Sequence, residues 1–433
     1  MNGEIAASAL GLDFGTTNTV LALGNGAGGS ELVEFSGAEA TGAVFRSALC
    51  FWEEESAWNG IACEAGPWAI AEYLQSQLDS RFVQSFKTVA ASSTFERALI
   101  FGKPFRFEDL GRLFMQRLVA HAGERLDKRP HRVIVGRPVE YAGARPDPAL
   151  ARRRYDLMLR EFGAELHYVY EPLGAAYSYA ARLTEPATAL VADFGGGTTD
   201  FSIVRVAEPG AARRCMPLAS SGVGIAGDRF DRRIVDRLVL PMLGKGGMYR
   251  SMGKTLDIPG GWFADFADWS RLALMRNRRT LDELRRLQRY AIEPEPIGRM
   301  IALIEHEQGF PLYDAVGRLK RALSTEPQAE FRFEGGGVAI AAEVRRAEFE
   351  KWIADDLRRI EVAMDEALAR AQLGPDEVDR VFLTGGSSLI PAIRAIFERR
   401  FGPERIGTGG ELTSIAHGLA LIGGEADPAV WAA

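Results

Sequence analysis

Cysteine is scarce in this chain. Cys50, Cys63 and Cys215 are its only three, odd in number and without metal-ligand spacing. That excludes a disulfide framework or a thiolate zinc site and fits a reducing cytoplasm. The five histidines are scattered, so a histidine-based zinc site is not expected. No stretch approaches the roughly 20 apolar residues of a membrane span. The start, Met1-Asn-Gly-Glu-Ile-Ala, has no basic run and no long apolar run, so no signal peptide is expected. A net charge of −6 gives no general pull toward nucleic acid or anionic membrane. Lysine is rare, seven in 433 residues, and arginine carries most of the basic charge. The sequence GxxxxGK[ST] is absent, so any nucleotide site is not of the P-loop kind. Gly222, Gly224 and Gly227 form a GxGxxG, but no strand-plus-helix unit with an acid about 20 residues on accompanies it. A glycine turn opening a helix from Arg229 to Leu243, with its N–H groups near a phosphate, is the better account.

What the chain does have is ordinary globular composition, 47% apolar and 25% charged, at a length that suits two or three domains. Its central signal is Val191 to Ser202. An apolar run from Ala187 to Ala192 leads in, and Phe201, Ile203 and Val206 alternate on the way out, which predicts a β-hairpin. The turn holds Gly195, Gly196 and Gly197, then Thr198, with Asp193 and Asp200 on either side. Three glycines leave backbone N–H groups uncovered for an anion. Two carboxylates beside an anion repel it unless a divalent cation intervenes, and Mg²⁺ prefers oxygen ligands. The pattern points to a Mg-nucleotide site.

The same pattern occurs earlier, as Ala9 to Leu23 with Asp13, Phe14, Gly15, Thr16, Thr17 and Asn18. Two matching hairpins some 180 residues apart predict two related lobes facing one ligand. Residues 37 to 112 are less regular and contain Lys87. Leu110 to Leu126 has helical spacing, His131 to Pro138 reads as a buried strand, and an arginine-rich helix follows from Ala149 to Gly163. Leu166 to Tyr170 then predicts a strand ending on Glu171-Pro172, with a small-residue helix from Leu173 to Leu183. Such alternation argues an α/β lobe. Further on come an aromatic stretch (Trp262 to Trp269), a basic run from Arg271 to Tyr290, a basic helix from Tyr313 to Ser324, a hairpin around Gly335 to Gly337 and a long helix from Arg346 to Gln372. The basic run is either a docking face for an acidic partner or a solvated helix face. The last signal is a strand running into Thr384, Gly385, Gly386 and Ser387, then a helix from Ala392 to Phe401 and another from Ser414 to Gly423.

The two Asp-Phe-Gly hairpins and the Thr384-Gly-Gly turn, in this order, resemble the actin-like ATPase superfamily. Glu171-Pro172 and Gly224 to Asp231 are most similar to the seventy-kilodalton heat-shock chaperones. The segment 241–345 and the early C-terminus resemble the short, YegD-like branch of that family, which lacks the peptide-binding domain. The resemblance implies an α/β fold of two ribonuclease H-like lobes, mixed sheets with helices, around an ATP cleft. Lobe I would take residues 1–186 with an outer subdomain at about 37–112. Lobe II would take 187–408 with an enlarged outer subdomain at about 230–342, and 409–433 would return to lobe I.

The resemblance also implies that Asp13, Asp193 and Asp200 hold Mg²⁺, largely through waters. Gly15, Thr16, Thr17, Asn18 and Gly195 to Thr198 (Gly195, Gly196, Gly197, Thr198) would contact the phosphates of ATP or ADP, with Gly224, Gly227, Gly385, Gly386 and Ser387 close by. Lys87 would neutralise charge near the γ-phosphate and Glu171 would orient the attacking water, a division of labour that suits phosphoryl transfer. Lys320, Arg321 and Ser324 match the base and ribose side. Two residues depart from the family there: Gly317 replaces a ribose-binding glutamate and Leu389 an adenine-stacking arginine, each weakening binding by about 1–2 kcal/mol. The expected activity is slow, Mg-dependent ATP hydrolysis in a cytoplasmic, chaperone-like protein whose lobe angle is sensed by a protein partner or client. A small-molecule kinase of the same superfamily and a non-catalytic nucleotide sensor or scaffold remain alternatives.

Overall fold

The computed structural model describes residues 9–431 except 26–27, 38–39, 77–78, 127–129, 144, 209–210, 212–213, 269–270, 273–274 and 408–411. The N-terminal stretch from Met1 to Ala6 and Trp269 therefore lie outside the described residues. Two mixed sheets organise the chain. The first contains β1 (Ala9–Phe14), β2 (Asn18–Gly24), β3 (Ser30–Leu32), β4 (Val44–Arg46), β5 (Arg132–Arg137) and β6 (Glu165–Tyr170). Its order is β6-β5-β1-β2-β3, with β4 also paired to β2. Helix α1 (Glu171–Ala180) leads to the second sheet, which begins with β7 (Ala187–Phe194), β8 (Thr199–Val206) and β9 (Cys215–Val223). After α2 (Gly227–Ile234), α3 (Gly309–Thr325) and α4 (Arg346–Ala371), this sheet is completed by β10 (Arg380–Thr384) and β11 (Ile406–Gly407), and α5 (Ser414–Gly423) follows. Its order is β9-β8-β7-β10-β11.

The two sheets have one topology. In each, three antiparallel strands continue into two parallel ones, so β1 corresponds to β7 and β5 to β10. The leading strands β1 and β7 are central and covered on both faces, which accounts for their near-continuous apolar runs. The two-lobed α/β fold expected from the sequence is present. One core, around Leu12, Phe14, Phe114 and Tyr155, fills the first lobe, and another, around Phe194, Phe201, Phe230 and Phe397, fills the second.

A third core joins the lobes. Helix α1 packs on β7 and β8, whereas α5 packs back on β1, β2 and β5. The two helices cross at glycine: a Cβ on Gly418 would lie 1.6 Å from the Gly174 carbonyl oxygen. One on Gly11 would lie 2.3 Å from the carbonyl oxygen of Ala416. Gly418→Ala must push backbone against backbone, and is expected to cost about 3 kcal/mol or more. Urea unfolding of the variant checks this, and an unchanged midpoint would contradict the close approach.

Several element boundaries differ from the sequence-based expectation. Glu171 opens α1 rather than closing β6, because Pro172 fits the first turn of a helix, where no N–H bond is lost. The run beginning at Arg271 is not one helix: Arg271, Leu272 and Met275 are helical, the helix breaks at Arg276, and a second helix, Arg278–Tyr290, is capped by Asn277, whose side chain accepts from the Thr280 N–H. The helix expected to run from Arg229 starts at Gly227 and is regular only to Ile234, after which a wider turn (Val235–Val239) and a tighter one (Leu240–Leu243) carry the chain on. The formal GxGxxG begins at the end of β9, which among the described residues pairs only with antiparallel β8, so no parallel βαβ crossover lies behind it there.

The outer parts of the two lobes also meet. The Tyr73 hydroxyl donates to the Glu307 carbonyl, and Arg81 forms an ion pair with the Glu307 carboxylate. Arg276 approaches the same carboxylate at 3.0 Å. Phe310 packs edge-on against Tyr73 and Phe82, with ring centroids 5.6 and 5.1 Å apart. Glu307 holds a left-handed φ of 52° at this junction, a conformation an acid adopts only when its surroundings impose it.

Candidate active site

The two hairpin turns are closed in the same way. The Gly15 N–H donates to the Asn18 carbonyl at 3.0 Å, and the Gly195 N–H to the Thr198 carbonyl at 3.0 Å. The phenylalanine of each motif anchors its turn from below, Phe14 against Phe86 and Phe114, Phe194 against Phe397. The turns face one another closely. A Cβ on Gly196 would sit 2.6 Å from Thr17 Oγ1, and one on Gly197 would sit 3.3 Å from Thr16 Oγ1. Glycine is thus required for the approach as well as for exposed N–H groups.

Between the hairpins lies a buried charged group. Lys87 Nζ donates to Glu171 Oε1 at 2.5 Å, both side chains being 7% exposed. Lys87 sits in a tight turn (Phe86–Val89) that Phe86 pins beneath Phe14, leaving the ammonium 5.9 Å from the Phe14 ring. Glu171 stands in the first turn of α1, where the helix dipole favours an anion, and its side chain passes over Gly136, whose Cβ would be 3.0 Å from Glu171 Cγ. Burial works against the Lys87 charge, but the Glu171 carboxylate, its hydrogen bond and Asp13 outweigh it and hold the lysine above its ordinary pKa.

The three aspartates line the same space. Burial, then Glu171, pushes Asp13 up to about 8 despite Lys87. Burial and the charges of Glu171, Asp13 and Asp200 push Asp193 well above the carboxylate range. Asp200 faces Asp193 across the β7–β8 pair and rises to about 7, mainly through burial and Glu171. Its Oδ1 accepts from the N–H groups of Val139 at 2.8 Å and Glu140 at 3.2 Å. Its Oδ2 is buried with no hydrogen-bond partner among the described residues.

Carboxylates crowded in this way favour a counter-cation. Among the described residues no three acidic, histidine or cysteine side chains converge closely enough to ligate a metal directly. Crowded carboxylates with an unpartnered Asp200 oxygen suit a divalent ion that prefers oxygen ligands and is touched through waters.

The remaining expected residues form a second group. Gly385, with φ of 82°, lies where a Cβ would meet the Phe194 carbonyl oxygen at 2.1 Å, so the Gly-Gly-Ser turn is locked to the second hairpin. Ser387 Oγ is 2.9 Å from the Cβ position of Gly227. The Gly227 and Asp228 N–H groups donate to the carbonyls of Gly195 and Gly196, at 3.3 and 2.8 Å. Gly224 packs against Ala142 of the other lobe. Lys320 binds the Gly227 carbonyl at 3.2 Å and Asp231 at 2.7 Å.

Not every expected residue is arranged to contact a base. The Ser324 hydroxyl is spent on its own helix, donating to the Lys320 carbonyl at 3.0 Å, and Arg321 is exposed beside Gly317. Leu389 is 61% exposed, an apolar face where a stacking cation was expected. Much of the basic helix Arg278–Tyr290 is self-neutralised, with Arg278, Arg279 and Arg285 paired to Asp282, Glu283 and Glu305.

Asp228 and Ser47 are among the cleft residues that the sequence reading did not single out. Asp228 touches the second hairpin, its Oδ1 3.3 Å from the Cβ position of Gly196, and burial followed by Asp231 raises it to about 6. Ser47 ties down the first hairpin, donating its N–H to the Thr17 carbonyl at 2.9 Å and its hydroxyl to the Gly15 carbonyl at 2.7 Å. Ser47 lies in an irregular stretch with no motif to mark it, whereas Asp228 was visible as the acid following a glycine turn.

No helix among the described residues is long and apolar enough to cross a membrane. Residues 306–429 match the family model described as Hsp70 protein. The match takes in the Lys320 helix, the Gly385-Gly386 turn and the crossing helix α5.

Proposed function

We infer from the match over residues 306–429 that the chain is of the Hsp70 family of actin-like ATPases, ATP-binding proteins of chaperone type, and from that premise we propose that it hydrolyses ATP slowly in a Mg-dependent manner, in the cytoplasm, and that a protein partner responds to the resulting change in lobe angle. The observation that carries this reading is the Lys87–Glu171 pair set between two apposed Asp-Phe-Gly hairpins. In this reading the N–H groups of Gly195 to Gly197 and of Thr16 to Asn18 bind phosphate oxygens, and Thr198 faces the γ-phosphate. Lys87 parts from Glu171 to neutralise that phosphate, which frees the carboxylate to accept a proton from the attacking water. Asp13, Asp193 and Asp200 hold hydrated Mg²⁺, which supplies charge neutralisation at the phosphoryl oxygens. We place lobe I at residues 1–186 and lobe II at 187–408, with outer subdomains at about 37–112 and 230–342.

The hairpin tips touch, so admitting phosphates requires the lobes to part. The Arg81–Glu307 contact then limits nucleotide exchange, since it joins the outer parts of both lobes. Arg81→Ala is expected to speed release of a fluorescent ADP analogue roughly tenfold, equivalent to about 1.4 kcal/mol, in a stopped-flow chase. Release at the wild-type rate would remove this contact from the gating.

A non-catalytic sensor is the reading favoured by the exposed Leu389 and by Gly317. Calorimetry with ATP and ADP, followed by phosphate release, separates the two. Binding with release supports hydrolysis, binding without release supports the sensor, and release that requires an added small acceptor supports a kinase of the same superfamily.

A further inference from the structure

Arg46 ends β4 directly opposite Asn18 of β2. Side chains directly opposite each other in an antiparallel pair share a face, and the preceding Phe45 goes into the lobe I core with no exposure. Alternation therefore places Arg46 on the other face of the sheet, which also carries Asn18 and Asp13. Ser47, the next residue, is hydrogen-bonded twice to the first hairpin turn, so the backbone of Arg46 moves with that turn.

The bonding of this arginine is unusual for the chain. Its Nη1 donates to Asn18 Oδ1 at 3.2 Å, its only side-chain hydrogen bond among the described residues. It enters no ion pair among them, although Arg81, Arg229, Arg233 and Arg276 each find a carboxylate. A guanidinium has five N–H donors, and this one is half-buried. Burial acts against its charge, and Asp228 across the cleft is the largest counterweight, with Arg321 opposing and Asp231 and Asp314 assisting. Geometry places Arg46 against the first phosphate hairpin, through its bond to Asn18 and the anchoring of the adjacent Ser47. Lys320 is already paired with Asp231 at 2.7 Å, so Arg46 is a cation of this group that keeps donors free for a polyphosphate.

We propose that Arg46 binds the phosphate chain of a nucleoside di- or triphosphate, so that this cleft grips its ligand by phosphate more than by base. The inference rests on the nucleotide reading above. It also explains how a cleft with Gly317 and Leu389 on its adenosine side retains a nucleotide. The planar fork of arginine matches phosphate oxygens in pairs, and Arg46 has the free donors to do so. Energy lost at the base is thereby recovered at the phosphates.

The test is competition against a fluorescent ADP analogue in the presence of Mg²⁺, using ADP, AMP and inorganic pyrophosphate as competitors. Arg46→Ala is expected to weaken ADP and pyrophosphate roughly tenfold while shifting AMP less than twofold, with the thermal midpoint of the free protein unchanged. Arg46→Lys is expected to fall between, because it keeps the charge and loses the fork. Unchanged ADP affinity in Arg46→Ala overturns the proposal, as does an equal loss for ADP and AMP. Wild-type protein that binds neither ADP nor pyrophosphate overturns the nucleotide reading and this proposal together.

Discussion

Replacing Lys87 with alanine is expected to lower ATP turnover at least ~100-fold and to destabilise the fold at the same time. The activity loss follows from removing the cation that lies against Glu171 between the hairpins. The stability loss follows from what remains, a Glu171 carboxylate only 7% exposed and without its partner. Breaking a buried pair from one side costs about 3–5 kcal/mol. The double variant Lys87→Ala/Glu171→Gln separates the two effects, because the amide is neutral. Chemical unfolding should show most of the stability recovered while phosphate release stays at background. If the double variant is as unstable as the single one, the cost is one of packing and the electrostatic account fails. The pair is intact across the usual assay range: the Lys87 pKa is raised, so its stabilisation is present at lower pH and is lost only as pH rises through that elevated value.

Asp193→Asn is expected to abolish Mg-dependent hydrolysis, a fall of about 10³ or more, without the stability loss expected at Lys87. Asp13 and Asp200 are raised to about 8 and about 7, and Asp193 lies well above its ordinary value. A raised carboxylate pKa means that the folded state holds protons the unfolded chain has released. The metal-free protein therefore gains from these groups below about pH 4, the ordinary carboxylate range. That gain is lost as pH rises through 7 to 8. An asparagine at the centre of the cluster removes one of the repelling charges, so the decline between pH 5 and 8 should flatten. Thermal melts of metal-free wild type and Asp193→Asn at pH 5 and pH 8 check this. Wild-type turnover in the variant would sink the assignment of Asp193, and an equally steep decline would sink the electrostatic account.

How much of this was visible in the sequence depended on how local each feature is. The hairpins were legible because strand, turn and strand are contiguous, and Asp13 and Asp193 sit at the same step of a repeated pattern. Ser414 to Gly423 was legible as a helix, but its return to lobe I came only from the family resemblance, since its seat against β1 depends on Gly11 admitting the Ala416 carbonyl. Lys87 and Glu171 are 84 residues apart, and only the resemblance to a family linked them. Arg46 was missed because its significance comes from its register with Asn18 and from what it fails to pair with. Neither property is written near position 46. The contact of Arg81 with Glu307 was hidden for the same reason, joining two segments that carry no motif.

The exchange of helices has a consequence for how such a molecule can come into being. Helix α1 leaves the first sheet to cover the second, and α5 leaves the second to cover the first. Each sheet thus borrows its lid from the other half of the chain, and a cut in the linker near residue 185 would leave both halves uncovered. The first lobe has no finished inner face until the last helix has been made. During synthesis it must wait, with Gly11 and Ala22 open to solvent, for a segment 400 residues later.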